Sequence, residues 1–487
     1  MALTYYSTNN PSGKRTTFKD ALLEGQPEDY GLFMMSREEV PQLPFGQVRE
    51  MIGKPYSQIA FEVLNPFLRG VFGDSELREM LKDAYDDSVI PTKVQEVTGR
   101  TNIMWLTQGP TYSFKDYAAR FFGRSLDRVL GERGLRRLVL VATSGDTGPA
   151  IGSALHNLDN VAYVVFYPKD SVSSGQRKQM TTLGGNVHAI AVKGDFDVSQ
   201  AMSKILLNDK EYARQVFGDS ERITSANSIS LGRLLPQVVY PFYGFSRMGL
   251  DSEEAFVASI PSGNFGDMMG SVLARQMGLP ISRIICGVNE NTEFPDFLTT
   301  GKYVVRGSRE SPSSAMDVGH PSNMERLFDF YGGSLFDERN AQGKVVRKGV
   351  TRKSPDLEGM RRDIFSFAIN TQQHYDTMRE VFEQYGIILD PHGAVGWRAL
   401  ELMNLGDFSI PALIYETADP GKFPAHVERA IGITPEIPLR MKQQEEMPER
   451  VYPIQSEPLG NKKDGFSLSP EQLQEAKEII AALPIRR

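Results

Sequence analysis

The sequence predicts an α/β protein built on parallel sheets, and three observations carry that expectation. Apolar runs of strand length at 138–142, 161–167, 187–192, 255–260, 284–288 and 410–415 show almost no polar alternation, the pattern of strands buried on both faces. Each run is followed by a Gly- or Ser-containing turn and then a helical stretch. The chain has 487 residues, 40% hydrophobic and 24% charged, enough to bury a large core at an ordinary composition. In such sheets ligands bind beyond the carboxyl ends of the strands, so the turns after these runs are where chemistry is expected.

Residues 1–95 mix short apolar clusters with turn residues, with helix-compatible stretches at 59–64 and 77–85. They read as a small, mostly helical N-terminal domain. The alternating strand and helix pattern occupies 96–440, and its polar stretch at 300–360 reads as loops around a site or as an excursion. Residues 441–487 form a charged, Pro-containing extension. It ends in a helix at 470–483 that places Leu473, Ala476, Ile479, Ile480 and Leu483 on one face. No internal repeat or low-complexity segment is evident.

A net charge of −7 with interspersed signs argues against nucleic-acid or membrane partners and leaves small molecules. The chain start lacks a basic segment followed by an apolar one, and no apolar run reaches the ~18 residues that span a bilayer. A cytoplasmic location is the expectation. The one cysteine, Cys286, lies inside an apolar run; it reads as a core thiol and excludes an intrachain disulfide. The six histidines, His156, His188, His320, His374, His392 and His426, show no ligand spacing, so no metal is expected.

Among the turns, Gln108-Gly109-Pro110-Thr111-Tyr112-Ser113-Phe114-Lys115 leads into an amphipathic helix expected at about 113–131, with Tyr117, Ala118, Phe121, Phe122, Leu126, Val129 and Leu130 on the buried face. Lys115 falls in its first turn. The helix dipole disfavours a cation there and so favours the neutral amine that attacks carbonyls. A solvated surface lysine is the bland alternative.

The turn after 255–260 is Pro261-Ser262-Gly263-Asn264-Phe265-Gly266-Asp267. A glycine-rich turn entering a helix presents N–H groups to an anion and has the form of a phosphate cradle, although a tight turn also needs glycine for its dihedrals. It has neither the Gly-Lys-Ser/Thr ending of a P-loop nor the G-x-G-x-x-G of a dinucleotide site. Thr143-Ser144-Gly145-Asp146-Thr147-Gly148 suits a carboxylate and equally suits an ordinary helix cap. In Glu416-Thr417-Ala418-Asp419, Thr417 could hydrogen-bond a heteroaromatic nitrogen or serve as a cap. In Asp390-Pro391-His392, the proline is ordinary at a helix start and the histidine could be a cap or a site wall.

Together the lysine, the cradle, the carboxylate-type turn and Thr417 fit pyridoxal 5′-phosphate (PLP). The chain resembles the threonine synthase family, the longer type with an N-terminal domain, within the tryptophan synthase β-like group of PLP enzymes. The resemblance runs through Tyr6-Ser7-Thr8, Gly109-Pro110-Thr111 with Phe114-Lys115-Asp116, residues 142–148, Gln179-Met180, Asn227-Ser228-Ile229 with Arg233, and residues 262–266. It continues through Ala315-Met316-Asp317, Ser322-Asn323 with Glu325-Arg326, Asp390-Pro391-His392, and Thr417-Ala418 with Pro420 and Lys422-Phe423.

The resemblance implies a two-lobed fold type II enzyme in which residues at about 125–215 form the smaller lobe. It implies that Lys115 carries PLP and moves protons, and that Gly263, Asn264, Phe265, Gly266 and Asp267 hold the cofactor phosphate. Thr417 lies near the pyridine nitrogen, where a neutral hydroxyl leaves that nitrogen largely unprotonated. Ser144, Gly145, Asp146 and Thr147 face the substrate carboxylate and the cofactor's 3′-oxygen, with Asp146 on the cofactor, and Asn227, Ser228 and Arg233 join the substrate side. The chain departs from the family pattern at Trp105, Gln108, Ser230, Val198 and Asp419.

The implied activity converts O-phospho-L-homoserine and water to L-threonine and phosphate, with a monomer or homodimer as the assembly. A phospholyase or a paralogue acting on a modified amino acid, and a PLP-fold protein without catalysis, are the competing expectations. Lys169, Arg177, Lys178, Lys204 and Arg233 are candidates for the substrate phosphate.

Overall fold

The computed structural model describes residues 2–250, 254–340, 343–404, 410–461 and 465–485. Ala341 and Gln342, in the polar 300–360 stretch, lie outside them. The chain divides into two compact units, one of residues 1–118 and 228–436, the other of residues 119–227 and 437–487.

The first unit holds a six-stranded sheet in the order Ile364–Ala368, Ile281–Val288, Phe256–Pro261, Ala412–Glu416, Thr101–Trp105, Lys93–Thr98. The first five strands run parallel, with Val257 opposite both Arg283 and Ala412, and Ala412 opposite Thr101. Only the edge strand Lys93–Thr98 is antiparallel. Phe256–Pro261 and Ala412–Glu416 are buried at every position, which is why their sequences carry no alternation. The parallel strands point their carboxyl ends the same way, so the turns after Trp105, Pro261, Val288, Ala368 and Glu416 share one edge of the sheet.

The leading residues of this unit pair Thr4–Ser7 antiparallel with Thr16–Thr17 and with Phe33–Met34, then run through the helices Tyr56–Leu68 and Asp74–Ala84. An aromatic cluster joins those helices to the helix that begins at Lys115. Tyr56 lies 4.9 Å from Tyr85, 5.1 Å from Tyr117 and 5.0 Å from Tyr243, ring centre to ring centre. The polar stretch at 300–360 contains an antiparallel pair, Ser334–Arg339 with Val345–Lys353.

The second unit holds a five-stranded parallel sheet in the order Val451–Pro453, Val187–Val192, Val161–Pro168, Arg137–Ala142, Ile223–Ser225. Its core packs Leu138, Leu140, Val164, Phe166, Ile190 and Met202 with Ala476, Ile480 and Leu483 of the C-terminal segment. The final helix, Pro470–Ala482, starts at the capping box of Ser469 and Gln472, and its apolar stripe is thereby part of this core.

The strand and helix pattern read from sequence reappears with small shifts. The helix after Lys115 spans Lys115–Arg133, and the run at 284–288 extends back to Ile281. Unread in the sequence were the short strands Thr101–Trp105, Ile223–Ser225 and Ile364–Ala368, whose few residues give too little periodicity to register. No helix among the described residues is long and apolar enough to cross a membrane.

Cys286 is fully buried in the strand Ile281–Val288, and burial pushes its thiol up to about 12. It should therefore resist an aromatic disulfide reagent in the native protein and react stoichiometrically only after unfolding; rapid native-state titration would contradict this placement.

Candidate active site

The turn that delivers Lys115 is tied down locally by Asp116. Its carboxylate accepts the Thr111 N–H at 2.8 Å and the Thr111 hydroxyl at 2.7 Å, and it packs so tightly on Gly109 that a Cβ there would sit 2.7 Å from the Asp116 Cβ. Tyr112 adopts a left-handed φ of 59° within the turn. Lys115 is the first residue of the Lys115–Arg133 helix, and its ammonium lies 4.8 Å from the Phe114 ring centre.

This turn is stitched to the one after Ala412–Glu416. Phe114 N–H donates to the Thr417 carbonyl at 2.8 Å, Asp419 N–H to the Tyr112 carbonyl at 3.0 Å, and Lys422 Nζ to the Thr111 carbonyl at 2.8 Å. Lys115 and Thr417 are thus brought to neighbouring strand ends by backbone hydrogen bonds. The Ser113 hydroxyl, fully buried just ahead of Phe114, has no hydrogen-bond partner among the described residues. A Tyr240 hydroxyl on the Phe114 carbonyl, 3.1 Å, and a Tyr85 hydroxyl on the Tyr117 carbonyl, 3.2 Å, brace the same helix start.

The glycine loop follows Phe256–Pro261 on the adjoining strand. Gly263 presses on the segment behind it, where a Cβ would meet Met316 Cα at 2.9 Å and the Ala315 carbonyl oxygen at 3.0 Å. Phe265 sits in the left-handed region with φ 61°, and the helix Gly266–Gln276 starts directly after it. Asp267, in the first turn, is buried, and burial pushes its carboxyl up to about 6 against the opposing backbone N–H groups and the Lys115 charge.

A second buried network backs the same edge. Glu416 is fully buried next to Thr417 and accepts the Asp390 N–H at 2.7 Å. Burial first, and the Asp390 charge second, hold its carboxyl far above the usual range. Asp390 also contacts His392 Nδ1 at 2.7 Å, and His392 Nε2 accepts the Ala315 N–H at 3.2 Å. Because Nε2 accepts, the proton of the neutral ring sits on Nδ1 and faces Asp390.

Near the N-terminal strand, Glu325 is pushed up to about 8 by burial and by Asp337, despite Arg326, Arg339 and the Thr8 hydroxyl. The unfolded chain ionises this group near 4.5 while the folded chain keeps its proton until about 8, so its contribution to stability falls as pH rises through that interval. Glu325→Gln should leave the melting temperature unchanged at the acidic end of that window and raise it increasingly towards the alkaline end. A pH-independent difference between the two proteins would contradict the assignment.

In the second unit the turn after Arg137–Ala142 is organised by Thr143, which the sequence places in this turn without a role of its own. The Thr143 hydroxyl oxygen accepts the N–H groups of Gly145 and Gly148 at 3.1 and 3.0 Å. Asp146 is buried and accepts from Gln176 Nε2 at 2.9 Å. Ser144 is exposed, and Gly145 and Thr147 are half-buried. Asn227 closes this unit's first segment, whereas Ser228 and Arg233 belong to the first unit, where Arg233 is buried.

Of the other cations proposed for a phosphate, Arg177 forms a two-pronged pair with Glu449 at 2.9 and 3.0 Å. Lys178 donates to the carbonyls of Glu445 and Met447, and Lys204 to Gln200. Lys169 is exposed.

The departures from the family pattern also find places. Val198 is a core residue of the second unit, its apolar side chain explained by packing. Trp105 Nε1 donates to Gln95 at 3.2 Å. Gln108 is exposed on the lysine turn, Ser230 stands at the N-cap position of a short helix without a side-chain capping bond, and Asp419 caps the turn at Gly421 at 2.8 Å.

The donor set of the first unit fits PLP: an amine at a helix start, a glycine loop opening an 11-residue helix toward an anion, and a hydroxyl-bearing residue on the neighbouring strand end. Fold and site together define a PLP-dependent enzyme, and residues 105–412 match the family described as pyridoxal-phosphate dependent enzyme. Residues 4–85 match the threonine synthase N terminus and 393–463 the threonine synthase C-terminal family.

The chain is 35% identical over 470 residues to threonine synthase of Pseudomonas aeruginosa, covering 93% of this chain and 96% of that one. It is 30% identical to that of Escherichia coli K12, over 89% and 93%. Its structure is similar to PLP-bound threonine synthase from Brucella melitensis, with a TM-score of 0.85, 30% identity and 99% of each chain covered. The yeast threonine synthase gives 0.84 at 26% identity, over 98% of each chain. The chain belongs to the threonine synthase family.

Proposed function

We propose that the chain converts O-phospho-L-homoserine and water to L-threonine and phosphate, the last step of threonine biosynthesis, as a cytoplasmic enzyme working as a monomer or homodimer. The observation that carries this reading is the stitching of the Lys115 turn to Thr417 beside the glycine loop, in a chain related to threonine synthases over nearly its whole length.

PLP, when bound, supplies an electron sink for carbanions of an amino-acid substrate. Lys115 holds the cofactor and, once freed, its amine takes and returns protons at the substrate carbons. The loop of Gly263, Asn264, Phe265, Gly266 and Asp267 holds the cofactor phosphate, and Thr417 offers a neutral hydroxyl to the ring nitrogen. In the second unit, Asp146 serves the cofactor's 3′-oxygen, while Ser144, Gly145, Thr147 and Asn227 serve the substrate, as do Ser228 and Arg233 of the first unit. Lys169, Arg177, Lys178, Lys204 and Arg233 are the candidates for the substrate phosphate.

Purified enzyme given O-phosphohomoserine should release L-threonine and inorganic phosphate in equal amounts. Appearance of 2-oxobutyrate without threonine would overturn the assignment in favour of a phospholyase, and a PLP-loaded protein that turns over no amino acid would favour a binding role.

A further inference from the structure

The glycine loop is clamped from behind by a buried polar network centred on Asn323. Asn323 is fully buried. Its Nδ2 donates to the Asn264 carbonyl at 2.9 Å, and its backbone N–H donates to the same oxygen at 3.2 Å. The Asn264 side-chain oxygen accepts the Ser322 N–H at 3.1 Å, so both oxygens of Asn264 are held by residues 322–323.

Asn323 is itself oriented by a buried guanidinium. Its Oδ1 accepts from Arg326 Nη1 at 2.6 Å. Arg326 is completely buried and directs its Nε to the Phe33 carbonyl at 3.1 Å and its Nη2 to the Ile229 carbonyl at 2.6 Å. One cation thus joins the strand Phe33–Met34, the segment after Ser228 and, through Asn323, the glycine loop.

A trans peptide is planar, so the Asn264 carbonyl and the Phe265 N–H point in opposite directions. With the carbonyl fixed toward Asn323 by two donors, the Phe265 N–H is turned away from Asn323. Phe265 also occupies a left-handed conformation that a non-glycine residue keeps only where its surroundings over-determine it. The clamp supplies that constraint at the residue just before the Gly266–Gln276 helix.

We propose that Asn323, oriented by Arg326, is a positioning residue for cofactor binding: without touching PLP, it fixes the Asn264–Phe265 peptide so that the loop's N–H groups are directed to the PLP phosphate. This rests on the assignment of residues 263–267 to that phosphate. A residue that only held the fold together would affect all cofactor forms alike, whereas a residue that aims phosphate-binding N–H groups affects only the contribution of the phosphate.

The test uses full-length apo-protein titrated spectroscopically with PLP and, separately, with pyridoxal, which lacks the phosphate. Wild type should bind PLP more tightly. Asn323→Ala should weaken PLP binding about tenfold, the scale of one or two lost buried hydrogen bonds, and leave pyridoxal binding unchanged. Asn323→Asp should weaken PLP at least as much, because its carboxylate keeps the Arg326 contact but faces the Asn264 carbonyl with an acceptor in place of a donor.

Asn264→Ala removes an exposed side chain and loosens the clamp from its other side. It therefore gives a variant that folds if the buried ones do not, and it should show the same PLP-selective loss. Equal losses for PLP and pyridoxal, or no loss for either, with a wild type that prefers PLP, would overturn the positioning role alone. A wild type that binds both equally would overturn the phosphate assignment together with it.

Discussion

Lys115→Ala is expected to reduce threonine formation from O-phosphohomoserine by about a thousandfold or more, the scale of a lost general acid–base group, and to remove the absorbance of protein-held cofactor. The substitution should leave stability nearly unchanged. Lys115 is half-buried, alanine is a strong helix former, and the turn is organised by Asp116 on Thr111 and by Thr417 on Phe114, contacts that do not use the lysine side chain. Steady-state product assay, a visible spectrum and a melting curve on the same preparation check the three parts. Retained turnover, or a retained absorbance of the lysine–cofactor Schiff base, would contradict the role given to Lys115.

Gly393→Ala should produce the larger stability loss, about 3 kcal/mol, seen as a lowered melting temperature. A Cβ at this position would fall within the van der Waals envelope of the Glu416 carboxyl, so the carboxyl must shift. Glu416 is fully buried, accepts the Asp390 N–H, and directly precedes Thr417. Displacing it would leave that N–H without its acceptor and disturb the strand end that pairs with the lysine turn. Gly386→Ala is a useful contrast: its φ is positive, but nothing lies near its added Cβ, so it measures backbone strain without overlap. If Gly393→Ala melts like wild type, the packing of Glu416 against this helix is not as described.

How much of the site was legible in the sequence follows from what kind of signal each residue leaves. Lys115 was legible because it opens a helix whose apolar positions recur over about four turns, and the glycine loop because it interrupts a strand-to-helix transition with residues that few other turns need. Thr143 was not, since one threonine among Ser, Asp and Gly at a helix start gives no sign of which hydroxyl closes the turn. Asn323 and Arg326 could be listed as part of a resemblance, but nothing in their local sequence says that they hold Asn264. Arg177 and Lys178 stand in the sequence as two cations among several candidates for a phosphate, and only the structure shows their partners, Glu449 and two carbonyls.

By itself the sequence determined the local elements: strands buried on both faces, helices with one apolar stripe, and turns whose glycines and hydroxyls mark strand ends. These follow from periodicities of two to four residues, which are written along the chain. The tertiary structure decided which turns share an edge. It placed Thr417 against Phe114, Asp419 against Tyr112 and Asn323 behind Asn264. The physical reason is that these pairings depend on strand order and on single buried hydrogen bonds between residues far apart in the chain, which leave no periodic trace in the sequence.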